Sequence, residues 1–433
     1  MKRFGIQFGA LLFAAVLWTG CSSTPAGVDD DILDETVTQG PIEVLFPAAP
    51  KDEITSLSLT DAQMAYQEEA GHFALETMAT LYNGKSFVIS PLSLQMALSL
   101  TASGASGETE KEILSALGFE KLGADGLNAY SQSLLQQLPA LDLGISVSLA
   151  NALVLNKQYR LVDTYKEQIA TYYFAPVVNA DFSDREATLS LINDWSNRNT
   201  NGLIPAILED IDPSSVAYLL NALYFKALWF SPFKKNQIVE GEAFKANGAS
   251  PVKVDYLCSV DNVPYADMDN YRMIRLFLGE KFQFLYTLFL PKEDDGLPAM
   301  LKELKSLNGS SLYSMAQGAR VQYRIPKYKT ESTFYLIPAL QALGVQRAFT
   351  NAAEFDKMIS KKNVKISDVI QKATLTLDEN GVEGASTTEI KIDVTGTDVF
   401  PQPVIFNADH PFAYVISERT SGAILFAGVF DGK

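Results

Sequence analysis

Residues 378–400, "DENGVEGASTTEIKIDVTGTDVF", alternate over most of their length between small or apolar and mostly polar side chains. The even-numbered positions from Val382 to Val394 carry the small and apolar residues, which is the two-residue period of a half-buried β-strand. Yet Gly381 and Gly384 near the start, and the "TGTD" at 395–398, are typical of a loop. The stretch is therefore predicted to be a loop that can become a strand, which requires an open slot in a sheet.

The composition is that of a globular protein. The chain has 433 residues, of which 47% are hydrophobic and 20% charged, so it is long enough to bury a large core. Its net charge of −16 repels phosphate backbones, which argues against a nucleic-acid partner. There are two cysteines, Cys21 and Cys258. Because Cys21 falls in a leader, no internal disulfide is expected, and Cys258 is expected to be a semi-buried, small apolar residue.

The N-terminus has the form of a processing signal. "MKR" precedes an apolar run at 4–17 that is too short to span a bilayer. "LWTGC" (17–21) resembles a bacterial lipobox, which predicts acylation of Cys21 and a lipid anchor; a plain secretory leader is the alternative. We expect residues 1–20 to be removed, 21–58 to form an acidic, proline-containing tether, and 59–433 to form one domain. The expected location is the bacterial cell envelope after secretion across the inner membrane, with the outer membrane favoured and its orientation left open.

The hydrophobic periodicity predicts helices mainly in the first half of the chain and strands mainly in the second. "TDAQ" (60–63) has the form of a capping box that opens a first helix, and a second helix follows "ISPLS". Further helices are predicted at 108–117, 125–138, 163–172, 185–199 and 332–343. Strands are predicted at 216–229, 284–291, 321–329, 372–379, 411–418 and 423–430. This segregation indicates an α+β fold with helices packed on large, mostly antiparallel sheets.

No catalytic or metal-binding constellation is present. The two histidines, His72 and His410, are expected to be hydrogen-bonded structural side chains, and they are too few for a zinc site. Asp378 and Asn380 would suit the first positions of a calcium loop, but Glu383 stands where such a loop needs glycine. The sequence therefore predicts neither an enzyme nor a cofactor.

Five segments, taken in order, resemble the serpins, which are protease inhibitors that act through a reactive loop. The segments are "FVISPLSLQMALSLTASGASGETEKEI" (87–113), "INDWSNRNTNGLI" (192–204), "LLNALYFKALWFSPF" (219–233), "IPKYK" with "LGVQRAFT" (325–350), and "TLTLDENGVEGAS" leading to "FNADHPFAYVI" (374–416). The resemblance implies the serpin fold, with about nine helices around three mainly antiparallel β-sheets and an exposed reactive-centre loop at about 379–405.

The resemblance also implies a mechanism of suicide inhibition. A target protease attacks the loop and forms an acyl-enzyme; the freed loop then inserts as a central strand of a sheet, and insertion of a serpin loop is itself the standard example of such strand addition. The implied partners are target proteases, held covalently by a monomer that meets the membrane only through its lipid. A non-inhibitory serpin that serves as a binding protein is the alternative. The hinge "GVEGASTT" favours inhibition, because it has no proline and no charge on its inserting face.

The resemblance assigns residues to three regions of the sheet. The hinge comprises Glu379, Gly381, Val382, Gly384, Ala385, Ser386, Thr387 and Thr388. The shutter, whose polar groups control the parting of the sheet, comprises Ser90, Ser93, Asn221 and Gln371. The breach, where the loop first enters, comprises Trp229, Lys327 and Glu379. Four positions depart from the usual pattern of the family: Val382 replaces Thr or Ser, Gly384 replaces Ala, Gln371 replaces a frequent His, and Ala413 is smaller than the usual aromatic or aliphatic residue.

The reactive bond is predicted by counting from Glu379 at the hinge. The usual spacing gives Thr395–Gly396, with Val394 as the preceding neighbour. A small Thr or Val before the cut suits elastase-like or subtilisin-like serine proteases, and Val394 also suits papain-like cysteine proteases. Lys391–Ile392 is the competing site, which a trypsin-like enzyme would cut.

Overall fold

The computed structural model describes residues 41–43, 54–142, 144–248, 250–307, 312, 314–360, 364–382 and 402–433. The helices are α1 (Asp61–Leu81), α2 (Pro91–Ser103), α3 (Gly107–Leu117), α4 (Gly123–Gln137), α5 (Asp163–Tyr173), α6 (Arg185–Asn199), α7 (Leu297–Leu304) and α8 (Ile337–Ala342). The strands are β1 (Phe87–Ile89), β2 (Ser146–Asn156), β3 (Val177–Ala180), β4 (Ala217–Leu228), β5 (Ile238–Phe244), β6 (Val252–Asp267), β7 (Tyr271–Leu278), β8 (Phe284–Pro291), β9 (Gln317–Pro326), β10 (Tyr328–Tyr335), β11 (Ile370–Leu377), β12 (Gly381–Val382), β13 (Val404–Asn407), β14 (Phe412–Glu418) and β15 (Ile424–Phe430).

The strands form two sheets. A nine-stranded sheet has the order β1-β15-β14-β8-β7-β6-β9-β13, with β5 paired to β6. A six-stranded sheet has the order β10-β11-β12-β4-β2-β3. The α+β fold is confirmed. The described residues contain eight α-helices and two sheets rather than three, because the long strand β6 pairs with β5, β7 and β9 and so joins strands that would otherwise form separate sheets.

Local signals fix the starts of the first two helices. The Thr60 hydroxyl accepts a hydrogen bond from the Gln63 backbone, and the Gln63 side chain accepts one from the Thr60 backbone, which is the predicted capping box. In α2, Ser90 is the N-cap and Pro91 occupies the first turn. Nearly every residue of α2 is buried, so this helix lies in the core beneath the six-stranded sheet rather than on the surface.

The predicted helix at 332–343 is wrong over its first part. Residues 332–335 belong to β10, where they pair with 370–373 of β11, and the helix extends only over Ile337–Ala342. Strand pairing decides the structure of 332–335, because a neighbouring strand supplies backbone partners that local propensity cannot anticipate. The predicted strand at 321–329 is likewise divided at Lys327 between β9 and β10.

The six-stranded sheet buries both faces. One face, called the inner face here, packs on α2 and the main core through residues such as Leu153, Leu223 and Phe225. The outer face packs under α6 through Ala152, Val154, Leu220 and Ala222, together with Ile192 and Trp195 of the helix. Among the described residues, no helix is both long and apolar enough to cross a bilayer.

Candidate functional site

The quoted stretch begins as a strand inside the six-stranded sheet. β12 lies between β11 and β4 and runs antiparallel to both. Val382 is opposite Leu377 on one side and Ala227 on the other, and only 1% of its surface is exposed. Its side chain joins the core on the inner face. The first even-numbered position of the pattern therefore faces the core.

A tight turn joins β11 to β12. The Asp378 carboxylate accepts hydrogen bonds from the backbone N–H groups of Asn380 (2.8 Å) and Gly381 (3.2 Å). A Cβ atom added to Gly381 would lie 2.1 Å from the carbonyl oxygen of Ala227. Only glycine permits this close approach of the two backbones, so the turn and the glycine together hold β12 in the sheet.

Trp229, which directly follows β4, binds this turn. Its indole Nε1 donates to the carbonyl of Asp378 at 2.8 Å, and its backbone N–H donates to the carbonyl of Asn380 at 2.9 Å. The indole ring packs edge-on against Phe233 and Tyr286, with ring centroids 5.9 and 5.7 Å away. The predicted breach residue Trp229 therefore lies in an aromatic cluster, and its indole N–H binds the turn that leads into β12.

Lys327 and Glu379 form an ion pair at the same end of the sheet, with Nζ and Oε2 2.6 Å apart. The hydrogen bond and charge of Lys327 lower the pKa of Glu379. Partial burial lowers the pKa of Lys327, but the hydrogen bond and charge of Glu379 outweigh this and raise the pKa overall. Both side chains are about one-third exposed or less, so solvent screens the pair only in part.

Below β12, strands β4 and β11 share no backbone pairing of their own in the described part of the chain; β12 alone connects them. We call the space between them the slot. A cavity of about 30 Å³ lies in its middle and is lined by all four predicted shutter residues. The structure thus brings Ser90, Ser93, Asn221 and Gln371 together around one small opening.

Gln371 ties β11 to the start of α2. Its Oε1 accepts from the Ser90 N–H and its Nε2 donates to the Ser90 carbonyl, both at 2.9 Å. The Ser90 hydroxyl in turn accepts from the Ser93 N–H at 3.2 Å. A glutamine amide can bind both groups because it carries a donor and an acceptor side by side.

Asn221 lies on β4, the other wall of the slot, and binds a residue of the neighbouring strand β2 that sequence reasoning missed. Its Nδ2 donates to Oδ1 of Asn151 on β2 at 2.7 Å, and Asn151 Nδ2 donates to the Tyr173 carbonyl at 3.0 Å. A single asparagine in the apolar run "LANALVL" is the signal that could have indicated Asn151. Among the described residues, none donates a hydrogen bond to the buried Asn221 Oδ1, so the network of predicted shutter residues holds one acceptor without a partner in that part of the chain.

A larger cavity of about 560 Å³ opens at the lower end of the slot. Its walls come from the inner-face helix α2, the first half of β4, the segment between α6 and β4, and the segment that leads into β11. Leu219 and Val369 are among the apolar residues that line it. The slot therefore widens from its middle toward its lower end.

Lys372 bridges the slot on the outer side, and nothing in the sequence pointed to it. Its Nζ donates to the carbonyl of Ala206 at 2.8 Å. Lys372 lies on β11, whereas Ala206 lies in the segment between α6 and β4. This contact links β11 to the segment that precedes β4.

Several predicted site residues lie outside the described residues. These are Cys21, the hinge residues Gly384, Ala385, Ser386, Thr387 and Thr388, and the reactive-bond residues Lys391, Ile392, Val394, Thr395 and Gly396.

The histidines and Cys258 are placed away from the slot-lining residues. His410 is buried, and its ring nitrogens lie 2.8 Å from the Asp409 carboxylate and from the Pro291 carbonyl. His72 lies 3.7 Å from Glu76 on α1. Cys258 is half-buried, and burial raises the pKa of its thiol, which keeps the thiol protonated and unreactive at neutral pH.

A family model described as Serpin (serine protease inhibitor) matches residues 68–431. Iripin-2 from Ixodes ricinus is 28% identical over 376 residues, which cover 84% of this chain and 94% of that protein. Serpin-ZXA from Oryza sativa subsp. japonica is 31% identical over 360 residues, which cover 80% of this chain and 89% of the relative.

Solved structures agree with these relatives. The thermophilic serpin tengpin in its native state is 26% identical, with a TM-score of 0.77 over 88% of this chain and 96% of that one. Human thyroxine-binding globulin in complex with its hormone is 24% identical, with a TM-score of 0.74 over 85% of this chain and 98% of that one, which shows a shared fold alone. Because the family model matches residues 68–431 and relatives match most of the chain, the chain belongs to the serpin family, whose members are generally protease inhibitors rather than enzymes.

Proposed function

We propose that this chain is an inhibitory serpin that traps endopeptidases as acyl-enzymes by inserting its cleaved loop between β4 and β11. The observation that carries the proposal is the slot: β12 already occupies its upper end, and below β12 the two strands have no partner in common among the described residues. Unpaired backbone groups on facing strands are a template for another strand. β4 has twelve residues, so at about 3.3 Å each the slot accepts a strand roughly 40 Å long.

The register of β12 predicts where each loop residue would lie after insertion. Val382 is opposite Ala227, so continuing the same antiparallel register places residues 383–392 opposite 226–217. Insertion along the whole of β4 therefore ends at Ile392. The proposed bond Thr395–Gly396 lies just beyond, which leaves a short connection for an attached protease at the far end of the sheet.

Thr388 is the loop residue that this register brings to the shutter. It would lie opposite Asn221 on β4 and, by the register of Val382 with Leu377, opposite Gln371 on β11. There the threonine hydroxyl can donate to the Asn221 Oδ1, the buried acceptor that has no partner among the residues that the structure describes. Satisfying a buried acceptor of this kind stabilises a protein by roughly 1–3 kcal/mol.

The sizes of the loop residues match the widths of the slot. Ser386 would lie between Leu223 and Ala373, which line the cavity of about 30 Å³. Ile390 would lie between Leu219 and Val369, which line the cavity of about 560 Å³. Small residues therefore enter the narrow part and large apolar residues fill the wide part, where their burial supplies part of the driving force.

A matched pair of variants tests insertion. Incubation with elastase-like, subtilisin-like, papain-like and trypsin-like proteases should give an adduct that survives SDS, and mass spectrometry should find a released fragment that begins at Gly396. Ser386→Arg should be cleaved without forming the adduct, because its charge would be buried unpaired between Leu223 and Ala373. The control Ala385→Arg points its charge to the outer face beside half-buried Tyr224 and should retain much of the adduct.

Two results would contradict the proposal. Adduct at the wild-type yield from Ser386→Arg would exclude insertion along this register. Cleavage of the wild-type loop by every protease without any adduct would favour the non-inhibitory alternative. A released fragment that begins at Ile392 would be consistent with inhibition but would assign the reactive bond to Lys391–Ile392.

We further propose that the inhibitor acts as a monomer tethered to the bacterial cell envelope by acyl chains on Cys21. The support is the lipobox-like "LWTGC" and the acidic tether that follows it. Cys21→Ser should move the protein from the membrane fraction to the soluble fraction, and persistence in washed membranes would contradict lipidation.

A further inference from the structure

Ile42 is a buried residue in the segment predicted to be a tether. It lies outside the family-matched range of 68–431, yet only 1% of its surface is exposed. Its neighbours Pro41 and Glu43 are both exposed. A single buried apolar side chain between two exposed ones is the pattern of a short segment bound to a surface through one anchor.

The anchor lies in the apolar cluster beneath α6. This cluster joins Ile192 and Trp195 of α6 to the outer face of β2, β3 and β4, and Ile42 is a member of it. In addition, Arg198 in the last turn of α6 donates from Nη2 to the Ile42 carbonyl at 3.4 Å. The Ile42 side chain therefore packs in the cluster beneath α6, and the Ile42 carbonyl binds α6 through Arg198.

The same cluster forms part of the wall of the slot. Ile207, Leu208 and Ile211, from the segment between α6 and β4, belong to the cluster with Ile42 and also line the large cavity. A strand that enters the slot has its odd-numbered residues on the outer face, toward this segment. Insertion along β4 therefore requires α6 and the segment after it to move away from the sheet.

We propose that residues 41–43 form an N-terminal clamp: Ile42 docks on α6 and holds the outer wall of the slot closed until a protease has cut the loop. Docking does not depend on inhibition, but the role as a clamp rests on the function proposed above. Losing a fully buried isoleucine changes an equilibrium constant by a factor of roughly ten or more, which is enough to alter how long the uninserted state persists.

The test uses the full chain with Ile42→Asp, the milder Ile42→Ala, and the exposed neighbour Glu43→Gln as control. Hydrogen–deuterium exchange should rise several-fold in residues 185–199 and 207–211 for both Ile42 variants and stay unchanged for the control. Incubated without protease, the Ile42 variants should convert to an inactive, more heat-stable form about ten times faster than the wild type.

Unchanged exchange in α6 for Ile42→Asp would overturn the docking. Faster exchange with an unchanged rate of conversion would overturn the clamp. Because exchange is measured without any protease, a failure of the proposed inhibitory function would leave the exchange result intact, so the two failures are distinguishable.

Discussion

At the scale of a single residue, Gly381 fixes the position at which β12 begins. Its backbone passes so close to β4 that a Cβ would lie 2.1 Å from the Ala227 carbonyl oxygen. No shift of a flexible side chain can relieve this contact, because the neighbouring atom belongs to the backbone. Either β12 leaves the sheet or β4 moves when any side chain is added.

Gly381→Ala should therefore expel β12 from the sheet of the intact protein. We expect the free energy of unfolding to fall by roughly 1–3 kcal/mol, the usual effect of overpacking, as measured by urea denaturation. Gly384→Ala, a change to the residue usual in the family, is the control and should leave the unfolding curve in place. Equal curves for Gly381→Ala and wild type would contradict the close contact.

The ion pair at the breach predicts a pH dependence. The pKa of Glu379 is lowered below its usual 4.5, so the stability that it contributes is lost as pH falls through that lowered value. The pKa of Lys327 is raised above its usual 10.5, so its contribution is lost as pH rises through that raised value. The difference in unfolding free energy between wild type and Lys327→Met should be constant between these limits and shrink in acid. A difference that grows in acid would contradict the pairing.

The family resemblance predicted roles for the shutter and breach residues. Residues whose position is evident only from contacts distant in sequence were missed. The shutter and breach residues named from the sequence do lie together in space, and their functional roles remain proposals. Asn151 and Lys372 were missed because their partners, Asn221 and Ala206, are distant in sequence. A hydrogen bond between such residues has no local signature in either one.

At the scale of elements, the outer side of the slot depends on one lysine. The Lys372 ammonium and the Ala206 carbonyl, 2.8 Å apart, connect β11 to the segment that follows α6. β12 joins β4 and β11 at the top of the slot, and Gln371 ties β11 to Ser90 at the start of α2. Opening the slot must break the lysine contact, whereas the bonds of β12 within the sheet can stay.

Lys372→Met should make the slot easier to open. The substitution removes one charge-assisted hydrogen bond, which lowers the free energy of unfolding by roughly 1–2 kcal/mol. It should also speed insertion of the cut loop into the slot. Stopped-flow measurement of the rate at which the protease is trapped would detect the change. Lys365→Met, an exposed lysine at the rim of the large cavity, is the control. Slower trapping by Lys372→Met would contradict its role as a bridge.

Element boundaries followed the strength of the local signal. The strands β4, β8, β14 and β15 were predicted to within about one residue, because apolar runs bounded by turn residues are distinctive. Strands β2, β6 and β7 were not predicted, and 332–335 was assigned to a helix. In these cases the pairing partner, rather than the segment itself, determines the backbone conformation.

At the scale of the whole molecule, the intact protein holds a large cavity of about 560 Å³, and the buried Asn221 acceptor has no partner within the described ranges. The unpaired acceptor destabilises the folded state, and the cavity leaves apolar residues such as Leu219 and Val369 only partly buried. Both would be relieved by insertion of the loop, so the intact protein is proposed to be metastable with respect to its own inserted form.

Cleavage within the loop should therefore raise the melting temperature. About ten new backbone hydrogen bonds at ~1 kcal/mol each correspond to a rise of roughly 10 °C or more in a domain of this size. Differential scanning calorimetry before and after limited proteolysis would measure it, with Ser386→Arg as a cleaved but non-inserting control. An unchanged midpoint for the cleaved wild type would contradict metastability.

The docking of Ile42 would also limit the distance that the domain can move away from the proposed lipid anchor. On the proposed lipid anchor, the fully extended chain from Cys21 to Ile42 spans at most about 75 Å. If the domain were first reached at Ile54, whose backbone N–H donates to the Ala140 carbonyl, the same tether would extend to about 115 Å. The proposed clamp on α6 therefore shortens the greatest distance between the membrane and the domain by about a third. This favours proteases that act close to the anchoring membrane. Release of the clamp during insertion would lengthen the tether after the protease has been caught.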